Sequence, residues 1–209
     1  MAYYGYPSVY PARSWLNGVD LQGQRTFLET LRTVKYGHDN PGPGFRDNVS
    51  TIYRIVGDKL MNDWGVGGTS ASSGMVSSCL MVLGYTNYSA LIPYDYLTII
   101  ESLSNGWPVY IAGGDSARTS AHAWVIDGYR KIRWGYQLFY FNENGGFDDY
   151  GLNIYDMQIM PETMLHCNFG WNGNNNGYYH SELFKLATTD AYTKFDYSYR
   201  IKMIHSIRP

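Results

Sequence analysis

The chain has 209 residues, 44% of them hydrophobic and 16% charged, which suits one compact domain over residues 1–209 rather than two. Its 16 basic and 18 acidic residues are scattered and give a formal charge of −2, so the charge pattern argues against nucleic acid as a partner. No stretch reaches the roughly 20 apolar residues of a membrane span, and residues 1–11 lack the basic and apolar regions of a signal peptide.

The first half of the chain predicts three helices. Asn48 is a suitable N-cap for the first, because apolar residues recur at helical spacing from there to Leu60 while charged residues take the other face. The segments Met75–Leu83 and Tyr96–Leu103 predict two shorter helices, each followed shortly by a glycine that can end it. Between the first and second helices, residues 65–73 form a turn-rich stretch of small side chains.

From Pro108 onward the chain changes to short segments rich in β-branched and aromatic residues, with turn signals between them. These predicted strands are PVYIAGG, HAWVIDGYR, YQLFYFNE, MLHCNFGW, GYYHSELF and YSYRIKMIHSI. Helices followed by a run of strands predict an α+β domain with a largely antiparallel sheet.

His122 and Asn168 lie on two of these strand segments and suggest a catalytic pair. In cysteine hydrolases a thiol attacks a carbonyl, a histidine takes and returns the proton, and an asparagine amide orients the imidazole. Taken alone, a histidine such as His122 is more often a hydrogen-bonded core residue. An unpaired buried amide costs about 1–3 kcal/mol, so we expect the Asn168 amide to bond an imidazole across the strands.

Three residues near this pair have more than one interpretation. Phe169 and Trp171 are either ordinary core aromatics or a shield that keeps water from a His–Asn hydrogen bond, and the sequence does not decide between these. Asp127 is either a turn former after the His122 strand or an orienting carboxylate, and the sequence favours the turn former.

Neither cysteine has the surroundings of a nucleophile. Cys79 lies on an apolar side of a predicted helix, where free cysteine usually packs as a small hydrophobe. Cys167 adjoins Asn168 on a strand, so the two side chains point to opposite faces. We interpret Cys79 as structural, and Cys167 cannot easily share the histidine that Asn168 would orient. The other histidines lack the spacing of a metal site.

A family resemblance rests on these motifs. HAWVIDGY at residues 122–129 and HCNFGWNGNNNGYY at residues 166–179 resemble the histidine and asparagine motifs of the streptopain family, bacterial cysteine peptidases with a papain-like fold. The segments LSNGWPVYIAGG, VGGTSASSGMV, LGY and the closing IKMIHSIRP also follow the order of that family, so the resemblance covers nearly the whole chain. It implies a papain-like α+β fold, with N-terminal helices followed by a largely antiparallel sheet.

The resemblance implies a role for individual residues. His122 matches the general base and acid, Asn168 the orienting amide, and Trp171 the second tryptophan of the asparagine motif. Phe169 stands where the family usually has tryptophan, which removes an indole N–H from that position. Residues expected to line the substrate cleft are Thr69, Ser70, Ala71, Ser72 and Ala121.

The resemblance also accounts for the missing thiol. The nucleophilic cysteine of the family lies in the first turn of a helix whose later part reads like MAYYGYPS, and a helix N-terminus lowers a thiol pKa. We therefore expect that cysteine, a propeptide and an export signal to precede Met1, and the complete protein to be secreted or held at the cell surface. Residues 1–209 alone are expected to be inactive, since removing such a nucleophile typically lowers the rate on the order of a million-fold.

The function implied by the resemblance is hydrolysis of protein substrates through a Cys-His-Asn acyl-enzyme, without a metal or organic cofactor. Expected partners are a peptide or protein substrate and the protein's own propeptide or a propeptide-like inhibitor. Two alternatives stay open: a non-catalytic pseudo-peptidase that binds a peptide or protein in its cleft, and an acyltransferase that uses the same residues.

Overall fold

The structure is a computed structural model that describes residues 4–26, 28, 42–60, 63–65, 68–117, 119–135, 159–171, 173–187 and 194–209. The helices in these ranges are α1 (Gly42–Lys59), α2 (Val76–Val82) and α3 (Tyr96–Ser104), with a short 3-10 helix at Ser73–Met75. The strands are β1 (Trp15–Leu16), β2 (Val19–Asp20), β3 (Asp63–Gly65), β4 (Gly68–Ser70), β5 (Ile92–Pro93), β6 (Val109–Gly114), β7 (Ala121–Gly135), β8 (Ile159–Asn168), β9 (Gly177–His180), β10 (Lys185–Ala187), β11 (Lys194–Asp196) and β12 (Tyr199–Ile204).

A six-stranded sheet forms the centre of the fold, in the order β5-β12-β6-β7-β8-β9. Every neighbouring pair in it is antiparallel. The β-branched and aromatic residues that predict strands here suit a pleated, half-buried surface. The predicted fold class, α+β with helices followed by a largely antiparallel sheet, is confirmed.

The two faces of this sheet pack against different elements. The inner face carries Ile111, Trp124 and Leu165, which pack with α3 and with the segment around Phe184. The outer face carries Tyr110 and Ile204, which pack with α2. Because side chains alternate along a strand, successive residues of β6 point to opposite faces of the sheet.

Helix positions agree with the sequence patterns except at the start of α1. That helix begins at Gly42, so Asn48 lies inside it and is not its cap, which corrects the prediction. Pro43 is well suited to the first turn of a helix, where its missing N–H is not needed. The other two helices lie where they are predicted: Gly84 follows α2 with a φ of +86°, and the Asp95 side chain caps α3.

Strand β7 is longer than the sequence predicts, and this changes the position of Asp127. The strand continues to Gly135, which pairs with Ile159 of β8. Asp127 lies inside the strand, where the register shifts between Ile126 and Gly128, so its interpretation as a turn former is wrong. The Asp-Gly pair marks a β-bulge instead, which inserts an extra residue without ending the strand.

Three further predictions concern the turn-rich residues 65–73, the strand at residues 136–143 and membrane spans. The turn-rich residues 65–73 include β4, which pairs with β3 in a short hairpin. The predicted strand YQLFYFNE, residues 136–143, lies outside the described residues. Among the helices described, none combines the length and apolar character needed to cross a bilayer.

Gly113 of β6 permits a close approach that a side chain would prevent. A Cβ at Gly113 would overlap the backbone carbonyl oxygen of Tyr197 and lie 3.2 Å from the Trp124 ring, whereas a Cβ at Gly128 would make an ordinary 3.6 Å contact with the Cβ of His166. We expect Gly113→Ala to lower the free energy of unfolding by about 1–3 kcal/mol through overpacking, and Gly128→Ala to change it by less than about 0.5 kcal/mol. Urea unfolding followed by tryptophan fluorescence measures both, and equal losses would contradict this explanation.

Candidate active site

His122 lies near the start of β7 on the inner face, opposite Gly113 of β6. Its Nε2 is 3.0 Å from the backbone carbonyl oxygen of Phe169, the residue that follows β8. A carbonyl oxygen only accepts hydrogen bonds, so Nε2 carries the hydrogen and the neutral imidazole is the Nε2–H tautomer. Nδ1 then keeps a lone pair that can take a proton from an acid.

Aromatic rings surround the imidazole of His122. Its ring centroid is 4.4 Å from that of Trp171, 5.4 Å from that of Tyr197 and 6.0 Å from that of Phe169. The Trp124 ring lies nearly parallel to the imidazole, at 6.4 Å and 8°. Phe169 and Trp171 therefore pack with the core, as one of the two interpretations has it, and their rings lie beside the imidazole. The His–Asn hydrogen bond that they were predicted to shield is not formed, because His122 Nε2 bonds the Phe169 carbonyl instead. Low polarity around such a bond strengthens it.

Tyr197 is a neighbour of His122 that the sequence motifs do not reveal. It follows β11, and its ring stacks on that of Phe195 with a centroid separation of 5.8 Å and an interplanar angle of 5°. Its backbone carbonyl lies against Gly113, the strand partner of His122. The run of aromatic residues around Tyr197 is the sequence signal that could have indicated an aromatic wall, although nothing in it specifies contact with the histidine.

Burial lowers the pKa of His122 below its ordinary value, because an imidazolium loses hydration among these rings. The hydrogen bond to the Phe169 carbonyl opposes this effect and is the smaller of the two. His122 is therefore mainly neutral at pH 7, which is the form that a general base needs.

Asn168 does not make the predicted contact with His122. The register of β8 on β7 pairs Asn168 with Val125, and His122 precedes Val125 by an odd number of positions. The two side chains therefore belong to opposite faces of the sheet. The Asn168 Oδ1 instead accepts hydrogen bonds from Gly170 N–H at 3.1 Å and from Asn176 Nδ2 at 3.2 Å.

Both cysteines are free and buried. Cys79 lies in α2, and Cys167 lies opposite Ile126 on the inner face, away from Asn168 as the sequence predicts. Burial raises the pKa of Cys79 to about 11 and the pKa of Cys167 to about 12. Since the thiolate is the attacking species, neither residue has the properties of a nucleophile at neutral pH.

The residues predicted to bind substrate lie in two places. Thr69 and Ser70 belong to β4, Ala71 and Ser72 follow it, and Ala121 begins β7. The Ser72 hydroxyl accepts a hydrogen bond from Gly74 N–H at 3.3 Å and so caps the 3-10 helix. Ala121 is exposed and immediately precedes His122. No hydrogen bond or ring contact in the described part of the chain joins residues 70–72 to His122.

Two further histidines contact carboxylates on the outer face. His166 Nδ1 is 2.5 Å from Asp127 Oδ1, and His180 Nδ1 is 2.8 Å from Glu162 Oε1. Within the described ranges, no group of three or more His, Cys, Asp or Glu side chains is placed to hold a metal ion. The carboxylates of this region therefore pair with histidines of the neighbouring strands, and none of them contacts His122.

Comparison with protein families shows to which family the chain belongs. The profile of the Peptidase C10 family, the streptopain family, matches residues 46–179. The chain belongs to the Peptidase C10 family. The matched range includes His122, Asn168 and Trp171 and ends before Tyr197. No match was found among curated proteins. The family resemblance drawn from the two motifs is confirmed, and by family the domain is of the cysteine peptidase type.

The thiols of Cys79 and Cys167 should react slowly with iodoacetamide. Because their pKa values are raised to about 11 and about 12, we expect rates at pH 7 roughly 100-fold or more below that of free cysteine. Mass spectrometry of the alkylated peptides gives the two rates separately. Fast modification of either thiol that disappears in His122→Ala would show that this thiol is paired with the histidine.

The imidazole of His122 should titrate below pH 6.5, its ordinary value, because burial disfavours the charged ring. The unfolded chain then binds a proton at higher pH than the folded chain does. The contribution of His122 to stability is therefore present above about pH 6.5 and is lost as the pH falls through the lower folded pKa. Proton NMR of the ring, assigned with His122→Ala, measures the midpoint, and a value above 6.5 would contradict the desolvation argument.

Proposed function

We propose that the chain is the catalytic domain of a cysteine-type endopeptidase that hydrolyses protein substrates through an acyl-enzyme, with His122 as general base and acid. The observation that supports this most directly is the 3.0 Å hydrogen bond from His122 Nε2 to the Phe169 carbonyl, in a chain of the Peptidase C10 family. This bond favours the tautomer in which Nδ1 can accept a proton from a thiol.

The reaction follows from this tautomer. His122 Nδ1 takes the thiol proton, and the sulfur attacks the carbonyl carbon of the scissile peptide bond. The imidazolium then gives this proton to the leaving amine as the C–N bond breaks, which leaves a thioester. Water attacks the thioester, and Nδ1 again takes and returns a proton. Because Nε2 keeps its hydrogen throughout, the Phe169 carbonyl can hold the ring in both charge states.

The attacking thiol is expected from outside residues 1–209, as the family resemblance implies. Burial of Cys79 and Cys167 supports this, since both pKa values are strongly raised. Trp171, 4.4 Å from the imidazole between ring centroids, is suited to screen it from water. The bound peptide is expected to lie against Ala121 and the small residues 69–72. A secreted or cell-surface location is the setting we propose for the complete protein.

Casein hydrolysis tests this assignment. We would compare residues 1–209 with a protein extended by the sequence encoded upstream of the Met1 codon. In the extended protein, His122→Ala should lower kcat/KM on the order of 10⁴- to 10⁶-fold, because the base and acid of the reaction is lost. The matched control is His180→Ala, a histidine that pairs with Glu162 on the outer face and should leave kcat/KM within about twofold.

Three results would count against parts of this proposal. Hydrolysis by residues 1–209 alone would mean that the thiol lies within them. An extended protein that stays active in His122→Ala would remove His122 from the mechanism. An extended protein with neither a reactive thiol nor activity would favour the alternative, in which the cleft binds a peptide or protein without cleaving it.

A further inference from the structure

One peptide group connects His122 with Asn168. The carbonyl oxygen of Phe169, which accepts from His122 Nε2 at 3.0 Å, and the N–H of Gly170 belong to the same peptide unit. That N–H donates to Asn168 Oδ1 at 3.1 Å. Asn168 and the imidazole are therefore hydrogen-bonded to opposite ends of a single peptide dipole, although their side chains lie on opposite faces of the sheet.

Asn176 holds this arrangement from the other side of the turn. Its Oδ1 accepts from Phe169 N–H at 2.8 Å, and its Nδ2 donates to Asn168 Oδ1 at 3.2 Å. The orientation of both amides follows from the backbone, because the N–H groups of Phe169 and Gly170 can only donate and so require an oxygen opposite them. The remaining Asn176 nitrogen then faces the Asn168 oxygen, and all of these bonds are compatible.

We infer that Asn176 is a positioning residue for His122, and that Asn168 and Asn176 act together as an amide clamp on the Phe169–Gly170 peptide. The inference rests on the proposed role of His122 as general base. Donation by Gly170 N–H to an amide oxygen polarises its peptide and makes the Phe169 carbonyl a better acceptor for Nε2–H. Asn168 thus orients the imidazole through the backbone, and Asn176 fixes Asn168.

The turn between β8 and β9 explains why a clamp is needed. Gly170, Gly173 and Asn175 have φ values of +78°, +84° and +62°, so the chain leaves β8 through left-handed conformations rather than through a continued ladder. The Phe169 N–H and Gly170 N–H therefore depend on side-chain acceptors, and these side chains are exposed to competing water. Losing one amide of the clamp leaves the peptide that holds His122 free to rotate.

NMR of the histidine ring in residues 1–209 tests this inference without requiring peptidase activity. We expect Asn176→Ala to speed solvent exchange of the His122 Nε2–H about 2- to 12-fold, which is the loss of one typical hydrogen bond. We also expect it to lower the pKa of His122 by about 0.5 to 1, because the carbonyl contact favours the charged ring. Asn174→Ala is the matched control: it truncates an exposed asparagine of the same turn, whose backbone N–H donates to the Trp171 carbonyl.

A double variant shows whether the two amides act as one unit. The changes caused by Asn168→Ala and Asn176→Ala should be clearly less than additive when they are combined, since either one opens the clamp. If Asn176→Ala does not fold by circular dichroism, Asn176→Ser gives the same comparison, because serine suits a turn but lacks an amide to reach Asn168.

An Asn176 variant that folds and leaves both the exchange rate and the pKa of His122 unchanged, or that raises the pKa, overturns the inference. Effects equal to those of Asn174→Ala, or full additivity in the double variant, overturn it as well. None of these results bears on whether His122 is the base of a peptidase, which the casein assay decides separately. If the extended protein is inactive, the same NMR spectra still test the amide clamp.

Discussion

The antiparallel register of β8 on β7 determines which groups can reach His122. By pairing Asn168 with Val125, it directs the amide to the outer face and places Phe169 on the inner face beside the imidazole. The polar partner of His122 is consequently a backbone carbonyl. A one-residue slip would exchange these positions along the whole strand, which is why the buried inner face fixes the register so strongly.

The same register explains why His122 and Cys167 share an apolar environment on the inner face. The inner face beside His122 is filled by Trp124, Phe169 and Cys167, all of them nearly inaccessible to solvent. Such surroundings favour the neutral form of every titratable group, so the imidazole becomes a weaker base and the thiol a weaker acid. Cys167 is therefore a packing residue of the inner face.

Local sequence patterns predicted most of the helices and strands. They did not predict which residues from distant segments of the chain lie in contact. Helical spacing around Ile55 indicated α1, but its start was missed because Gly42 and Pro43 resemble turn punctuation. The Asp127-Gly128 pair looks like a turn when the bulge that accommodates it is unknown. The faces of His122 and Asn168 depend on interstrand register, which one sequence does not encode in any local pattern. The role of Asn176 was not predicted for a related reason, since its Asn-rich turn resembles a simple connection between strands.

Tyr197 shows that the surroundings of His122 extend beyond the residues that the family model matches. This residue touches both His122 and its strand partner Gly113, yet it lies beyond residue 179, where the family match ends. A fragment cut to residues 46–179 would keep the whole range that the family model matches. It would nevertheless lose one side of the aromatic enclosure and the Phe184 packing beneath it. The portion of the chain that carries the signature is thus smaller than the portion that builds the site.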